Sequence, residues 1–211
     1  MRAPRRLGYG ERQAAVATLA AAFHSDPMMR ILEPDEENRD AIATWFFERI
    51  VAYALHWAEV WAIDDAAAVA VWLPPGSGSM TTSRMLRVGM AGLPWRVGLR
   101  GTARFLEAVR ALDTLHAAVH GPHWYLPAIG TRPTSEGQGF GSALMRVATD
   151  QADAAGIPCY LEATLPANQA FYAKRGFAVT DTRRVGAFTF TGMVRLPVRG
   201  GPNAPPPNSA G

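Results

Sequence analysis

The chain has few cysteines and no long uncharged apolar run, the features that mark secreted and membrane proteins. Its 211 residues include one cysteine, Cys159, and one lysine, Lys174. A single cysteine excludes an internal disulfide and is typical of proteins in a reducing cytoplasm. The most apolar stretch, residues 41–60, contains Glu48, Arg49, His56 and Glu59 and is not expected to span a membrane, and no apolar run follows the basic N-terminus. We therefore expect a cytoplasmic protein without a signal peptide.

The charge and the histidine spacing argue against two further classes of protein. A formal net charge of +3 does not by itself indicate a nucleic-acid partner. The five histidines show no metal-ligand spacing beyond a loose pair, His116 and His120, and no third ligand stands near that pair. We expect neither nucleic-acid binding nor a metal.

Size and composition predict one domain with a tail. A hydrophobic content of 48% is enough for one good core, so residues 1–198 are expected to form a single domain. Residues 199–211 are rich in proline and glycine and have no large apolar side chain to bury. They are predicted to be disordered.

Apolar periodicity predicts helices and strands in alternation. The pattern ends in a strand–helix–strand unit, which indicates a mixed sheet with helices on both faces. The predicted elements are helices over 10–23 and 42–53 with an acidic turn over 33–40 between them, strands 59–63 and 68–73, two helices within 80–120, strand 125–130, a helix after residue 142, strand 157–163, a short helix around 168–172, and strands 177–182 and 187–196.

A glycine-rich turn, Glu136-Gly-Gln-Gly-Phe-Gly-Ser142, stands directly before a helical pattern. Glycines let the backbone approach a ligand, and a helix start offers unpaired N–H groups and a positive dipole end, which together favour a pyrophosphate. A P-loop is excluded because the only lysine is Lys174, and the dinucleotide fingerprint fails at its third glycine. The loop Gln/Arg-x-x-Gly-x-Gly/Ala, typical of acyl-CoA binding, is matched from Gln138 and also from Glu136, where Glu stands in place of Gln or Arg. The register from Glu136 is preferred because strand 125–130 then leads into the loop at the usual distance.

The segments around this turn resemble the GNAT acyltransferases, the acetyl-CoA-dependent superfamily. The matching letters include Ala66-Ala-Ala-Val-Ala-Val-Trp72, Leu161-Glu-Ala163 and the series N-x-x-F-Y-x-x-x-G-F over residues 168–177. Within that superfamily the chain is similar to the puromycin N-acetyltransferases, over most of residues 7–197. The resemblance implies an α/β (α+β) GNAT fold with a mostly antiparallel sheet, here with a helical insertion around 80–120.

The resemblance also implies acetyl-CoA as cosubstrate. Main-chain atoms of a splayed strand would bind the pantetheine arm, the glycine turn would bind the pyrophosphate, and Asn168 would either cap its helix or contact the cofactor. The predicted cofactor-binding residues are Ile129, Thr131, Gly137, Gln138, Gly139, Phe140, Gly141, Ser142, Asn168 and Tyr172.

Two side chains are predicted to carry the chemistry of acetyl transfer to an amine, which needs a neutral amine and a protonated leaving thiol. Tyr172, placed near the CoA sulfur by the resemblance, is the candidate acid. Glu162, at the end of strand 157–163, is the candidate base or a binder of a cationic substrate. Strand alternation predicts that Glu162 shares a face with Tyr160 and not with Leu161.

The resemblance places the acceptor pocket at the first two helices and the strand before the glycine turn. Aromatic rings with one carboxylate would suit an aromatic amine or aminonucleoside, such as an antibiotic-like compound. Protein or peptide N-acetylation is the alternative among enzymes, a non-catalytic CoA-binding module is the alternative outside them, and a homodimer is left open. The predicted substrate-binding residues are Phe23, His24, Asp26, Trp45 and Trp124.

Overall fold

The computed structural model describes residues 3–77 and 80–198. The tail predicted to be disordered, residues 199–211, lies outside this range. The helices are α1 Arg12–Phe23, α2 Pro27–Leu32, α3 Glu36–Trp57, α4 Thr82–Arg87, α5 Leu93–Ala117, α6 Phe140–Ala155 and α7 Pro166–Ala173, and the strands are β1 Arg5–Arg6, β2 Glu59–Ile63, β3 Ala68–Leu73, β4 Trp124–Thr131, β5 Cys159–Ala163, β6 Ala178–Val185 and β7 Phe188–Arg195.

The strands form one seven-stranded sheet in the order β1-β2-β3-β4-β5-β7-β6. The β4–β5 pair is parallel, and the other described pairs are antiparallel. Helices cover both faces, so the predicted mixed, mostly antiparallel fold is confirmed. The predicted insertion is α4 and α5, and α5 is kinked at Gly98, where φ is 67°.

Each face of the sheet packs against its own helices. Side chains of α1 and α3 pack with one set of strand residues, including Val69 and Tyr160. Side chains of α6 pack with the alternate set, including Cys159 and Leu161. This division follows from the two-residue period of a strand, and it confirms the predicted facing of β5.

Helix α2 was not predicted, and the predicted acidic turn over 33–40 is mostly helical. Asp26 caps α2 by accepting a hydrogen bond from the Met28 N–H at 2.8 Å, and Pro27 occupies the first helical position. Asp35 caps α3 by accepting from the Glu37 N–H at 3.2 Å. Acidic side chains stabilise a helix start, so a run of them marks a beginning of α3 rather than a loop. None of the helices in the described ranges is both long and apolar enough to cross a membrane.

Candidate active site

The parallel strands β4 and β5 separate part of the way along their length. Their pairing ends at Leu126 and Leu161, while β4 continues to pair with β3 as far as Thr131. Pro127 stands at the point of separation and has no N–H to donate to a neighbouring strand. The β4 backbone from Ala128 onward therefore lacks a partner on its β5 side in the described chain, as predicted for a strand that would bind pantetheine amides.

A cavity of about 220 Å³ opens at this separation. It is lined from both faces of the sheet, because Glu162 belongs to the α1/α3 side and Tyr172 packs in the α6 cluster. Of the residues predicted for the site, those that line the cavity are Phe23, Asp26, Ile129, Glu162, Asn168 and Tyr172.

Glu162 is partly buried and has an unusual electrostatic environment. Burial raises the pKa of its carboxyl to about 7, and the neighbouring phenols of Tyr125 and Tyr160 oppose that rise only in part. Its Oε1 atom is buried without a hydrogen-bond partner among the described residues. A carboxyl poised near neutral pH can take a proton from an amine, as the predicted role requires.

Tyr172 lies in α7 with 7% of its surface exposed. Burial, and secondarily the negative charge of Asp26, raise the pKa of its phenol well above the usual value, and Arg175 opposes this. The hydroxyl therefore keeps its proton throughout the neutral range. Its position on the cavity, with Glu162 on another wall, suits a proton donor.

Asp26 lines the cavity, but both of its carboxylate oxygens accept hydrogen bonds from within the chain. Oδ1 accepts from the Met28 N–H at 2.8 Å, and Oδ2 accepts from the Thr164 hydroxyl at 2.7 Å. Burial raises the pKa of this carboxyl, and these two hydrogen bonds oppose the rise. Asp26 thus ties α2 to the end of β5, which positions the cavity wall.

Three predicted substrate-binding residues lie away from the cavity. Trp124 faces the α6 side, where the centroid of its ring lies 6.4 Å from that of the Trp72 ring. Its strand neighbour Tyr125 lines the cavity instead. Trp45 packs under the Arg49 guanidinium, whose central carbon lies 4.1 Å from the centroid of the indole ring. His24 turns toward Asp40, with Nδ1 and Oδ1 2.6 Å apart. These three residues do not line this cavity, and their assignment to the acceptor pocket stays a prediction.

The glycine turn has the shape that a phosphate-binding loop needs. Gly137 and Gly139 have φ values of 76° and 78°, in the left-handed region that favours glycine, and Gly139 is the N-cap of α6. A Cβ on Gly141 would lie 3.1 Å from the Phe171 ring. The turn is exposed over residues 136–139, so the N–H groups at the start of α6 are open to a ligand.

Arg175 supports this turn and was not predicted. Its guanidinium stacks on Phe171 at 3.4 Å and donates a hydrogen bond to the Ser142 hydroxyl in the first turn of α6. The cation adds positive charge next to the helix start, where Glu136 adds a negative one. Gln138 is part of the turn and Thr131 is the last residue of β4, and neither lines the cavity.

Asn168 is the third residue of α7 rather than its cap. The N-cap is Leu165, and the helix has no side-chain cap hydrogen bond. The capping alternative is therefore wrong, because Pro166 starts the helix two residues earlier. Asn168 is exposed and borders the cavity, so its amide is available to a ligand.

Sequence reasoning missed one wall of the cavity, which α5 provides. Its lining side chains follow helical spacing, and that spacing could have been recognised in the sequence had the insertion been read as part of the site. Tyr125 and Thr164 are among the other lining residues that were not predicted. The lining residues of α5 are Phe105, Val109, Leu112, Asp113 and His116.

No cluster of three or more metal-ligating side chains occurs within residues 3–77 and 80–198. Cys159, the only cysteine, is buried on the α6 side of the sheet, and burial raises the pKa of its thiol to about 12. It does not line the cavity.

Residues 88–177 match the family of acetyltransferases described as Acetyltransferase (GNAT) family. A curated relative, the uncharacterized N-acetyltransferase C550.08 of Schizosaccharomyces pombe, is 29% identical over 182 residues, which are 83% of this chain and 74% of that protein. The family match covers the split strand, the glycine turn, β5 and α7.

Solved structures share the fold over nearly the whole chain. A Corynebacterium glutamicum structure described as histone acetyltransferase HPA2 and related acetyltransferase has a TM-score of 0.67 and 21% identity, with 95% of this chain and 99% of that one covered. The polyamine N-acetyltransferase of Drosophila melanogaster, which forms N-acetylagmatine, has a TM-score of 0.59 and 15% identity, with 93% and 100% covered. These likenesses establish the fold and are neutral on the acceptor.

Proposed function

We propose that this chain, whose family match and fold support a GNAT-family N-acetyltransferase, transfers the acetyl group of acetyl-CoA to a primary amine of a small molecule. The observation that carries the proposal is the meeting of Glu162 and Tyr172 on one cavity, at the point where β4 and β5 separate. A base and an acid with opposite protonation states near neutral pH are what amide formation from an amine and a thioester requires.

The residues present fit acetyl-CoA, which would supply the acetyl thioester. The open backbone of β4 beyond Pro127 offers amide-bonding groups to an extended arm. The left-handed turn at Gly137 and Gly139, with the start of α6 behind it, offers N–H groups to a pyrophosphate. Glu136 would repel that pyrophosphate by about 1 kcal/mol at 4 Å in solvent, which the N–H groups and Arg175 offset.

The side chains would divide the proton transfers between them. Glu162, ionised above pH 7, takes a proton from the acceptor ammonium and so exposes the nitrogen lone pair. Tyr172 holds a proton on its phenol oxygen and donates it to the leaving sulfur. Both roles follow from the direction in which burial moves each pKa.

Direct transfer in a ternary complex is favoured over an acyl-enzyme route. The only cysteine, Cys159, lies on the α6 side of the sheet and away from the cavity, and its raised pKa leaves almost no thiolate at neutral pH. Initial-velocity measurements should therefore give intersecting rather than parallel double-reciprocal lines.

The cavity favours an acceptor with an apolar or aromatic body. Its walls are rich in phenylalanine and methionine, whose side chains adapt to irregular apolar ligands. An aminonucleoside or another antibiotic-like amine combines such a body with a primary amine, and acetylation would remove the charge of the amine. The apolar wall comprises Phe23, Met28, Met29, Phe46, Phe47, Met80, Met85 and Phe105.

Thiol release from acetyl-CoA, measured against a panel of acceptors, tests the proposal. The panel would contain puromycin, 2-phenylethylamine, agmatine and a peptide with a free N-terminus. We expect turnover with an aromatic amine, with kcat/KM rising as the pH passes about 7 because Glu162 must be ionised. In Glu162→Gln that rise should be absent.

Other outcomes would redirect the proposal. Turnover of the peptide alone would favour protein N-acetylation. Tight acetyl-CoA binding in calorimetry, with no turnover of any acceptor, would favour a non-catalytic CoA-binding module.

A further inference from the structure

A pair of histidines lies beside the cavity and has no part in the reaction proposed above. His116 on α5 borders the cavity, and its Nε2 atom lies 2.7 Å from Nε2 of His123, in the segment before β4. The His116 ring also packs against Tyr125 and Tyr160, with centroid separations of 4.4 Å and 4.7 Å. These two phenols neighbour the Glu162 carboxyl. The histidine pair is therefore adjacent to the proposed base.

Hydrogen bonding determines which nitrogen of His116 carries the proton. Nδ1 of His123 lies 2.9 Å from the carbonyl oxygen of Gly121, which only accepts, so Nδ1 of His123 carries hydrogen. In neutral His123, Nε2 is then an acceptor, and Nε2 of His116 must donate to it. Nδ1 of His116 is left as a lone-pair acceptor, with no hydrogen bond to any part of the chain that the structure describes.

Glu162 presents a second acceptor without a partner. Its Oε1 atom is buried and makes no hydrogen bond within the described ranges. A buried acceptor such as Oε1 of Glu162 is unfavourable until a ligand supplies a donor, and His116 borders the same cavity. An alkylammonium group has three N–H donors and no acceptor, so it suits such a pair.

We propose that Nδ1 of His116 and the Glu162 carboxylate together bind the acceptor amine, and that His123 is a positioning residue that holds His116 in the accepting tautomer. The inference rests on the proposed function and adds the histidine pair to its acceptor site. No bond other than hydrogen bonds changes at the pair, and the amine proton still leaves through Glu162.

His116 itself remains neutral near neutral pH, because burial and the nearby His123 lower its pKa to about 4. The other ionisable groups around the pair and its tyrosines are Asp113 on α5, Tyr125 on β4, Tyr160 and Glu162 on β5, and Asp181 on β6.

Calorimetry with 2-phenylethylammonium tests the site without requiring turnover. Wild type should bind it, and His116→Phe and His123→Leu should each bind it about tenfold more weakly. The first variant removes the accepting nitrogen, and the second removes the side chain that holds His116 in the accepting tautomer. His123→Gln should retain affinity, because its amide oxygen can accept from Nε2 of His116. His120→Asn is the control, since His120 is exposed and outside the cavity, and it should match wild type.

Nitrogen-15 NMR of the histidine rings checks the tautomer directly in the wild-type protein. At pH 8 we expect hydrogen on Nε2 of His116 and on Nδ1 of His123. Hydrogen on Nδ1 of His116 would overturn the proposal, as would equal affinity of wild type and His116→Phe, or no binding of the probe by wild type.

Kinetics separate this inference from the proposed function. In an active preparation, His116→Phe should raise KM for the amine and leave KM for acetyl-CoA unchanged, and an unchanged amine KM would overturn the inference alone. If no amine is acetylated while the probe still binds in a manner that depends on His116, the proposed function fails and the binding site stands.

Discussion

Strand β5 separates two environments that differ in polarity and in how completely their polar atoms are hydrogen-bonded. Cys159 and Leu161 point to the α6 side, where both are completely buried among apolar side chains. Tyr160 and Glu162 point to the other side, where one oxygen of each is buried without a hydrogen-bond partner among the described residues. One face of the strand is thus packed and satisfied, and the other is polar and incomplete.

The difference shows how one strand can serve stability and chemistry at once. Apolar burial on the α6 side stabilises the fold, roughly in proportion to the area removed from water. Unpaired polar atoms on the cavity side destabilise it, and a bound ligand would relieve that penalty. Substitutions on the two faces should therefore separate stability from activity.

The largest effect is expected from Tyr172→Phe, which removes the proposed proton donor and leaves the packing of the ring. We expect kcat for thiol release to fall roughly 100- to 1,000-fold. The control is Tyr53→Phe, which likewise removes a buried tyrosine hydroxyl, because the Tyr53 hydroxyl has no partner in the described chain and lies away from the cavity. Equal kcat in Tyr172→Phe and wild type would remove Tyr172 from the mechanism.

On the packed face, Leu161→Ala should act on stability alone. It leaves a cavity beside Leu144 and Met193, so the free energy of unfolding should fall by about 2–5 kcal/mol. Denaturant unfolding measures this loss. Below the unfolding transition the folded enzyme should keep its kcat, and a kcat loss as large as that of Tyr172→Phe would contradict the separation of the two faces.

On the cavity face, Glu162→Gln should lower activity and raise stability. The folded carboxyl has a pKa of about 7 against an ordinary value of 4.5, so the unfolded chain ionises first as the pH rises. Wild type therefore loses stability between about pH 4.5 and 7, and above that range the loss levels off at ~3 kcal/mol.

The neutral glutamine does not undergo this ionisation. Unfolding curves of Glu162→Gln and wild type should coincide near pH 4 and differ by up to about 3 kcal/mol at pH 8, with the variant more stable. A difference that does not change with pH would show that burial does not disfavour the Glu162 charge. Loss of turnover in the same variant is what distinguishes it from an ordinary stabilising substitution.

Local patterns predicted the elements that need only local physics. The hairpin of β2 and β3 was predicted with its observed bounds, and alternation along β5 put Glu162 beside Tyr160 because a strand has a two-residue period. The glycine turn was recognisable because left-handed backbone and a following helix leave a mark in the sequence.

Tertiary contacts explain what was missed. Thr164 and Asp26 are 138 residues apart in sequence, and only the folded chain brings their side chains to 2.7 Å. The same holds for His116, whose neighbours come from β4, β5 and the segment before β4. Trp124 was predicted for the pocket because an aromatic ring fits a pocket as well as a core. The register of β4 puts Tyr125 rather than Trp124 on this cavity.

The smallest effect sharpens the comparison at the two ends of α6. Gly137 before the helix and Gly156 after it have φ values of 76° and 68°, and an added Cβ would meet nothing within 4 Å at either position. Gly137→Ala and Gly156→Ala should therefore each destabilise the fold by about 1 kcal/mol through backbone strain alone. Only Gly137 belongs to the proposed pyrophosphate turn, so only Gly137→Ala should raise KM for acetyl-CoA, by several-fold. Because the strain is matched, a rise in that KM for both variants would assign the effect to general destabilisation, and a rise for neither would remove the turn from the cofactor site.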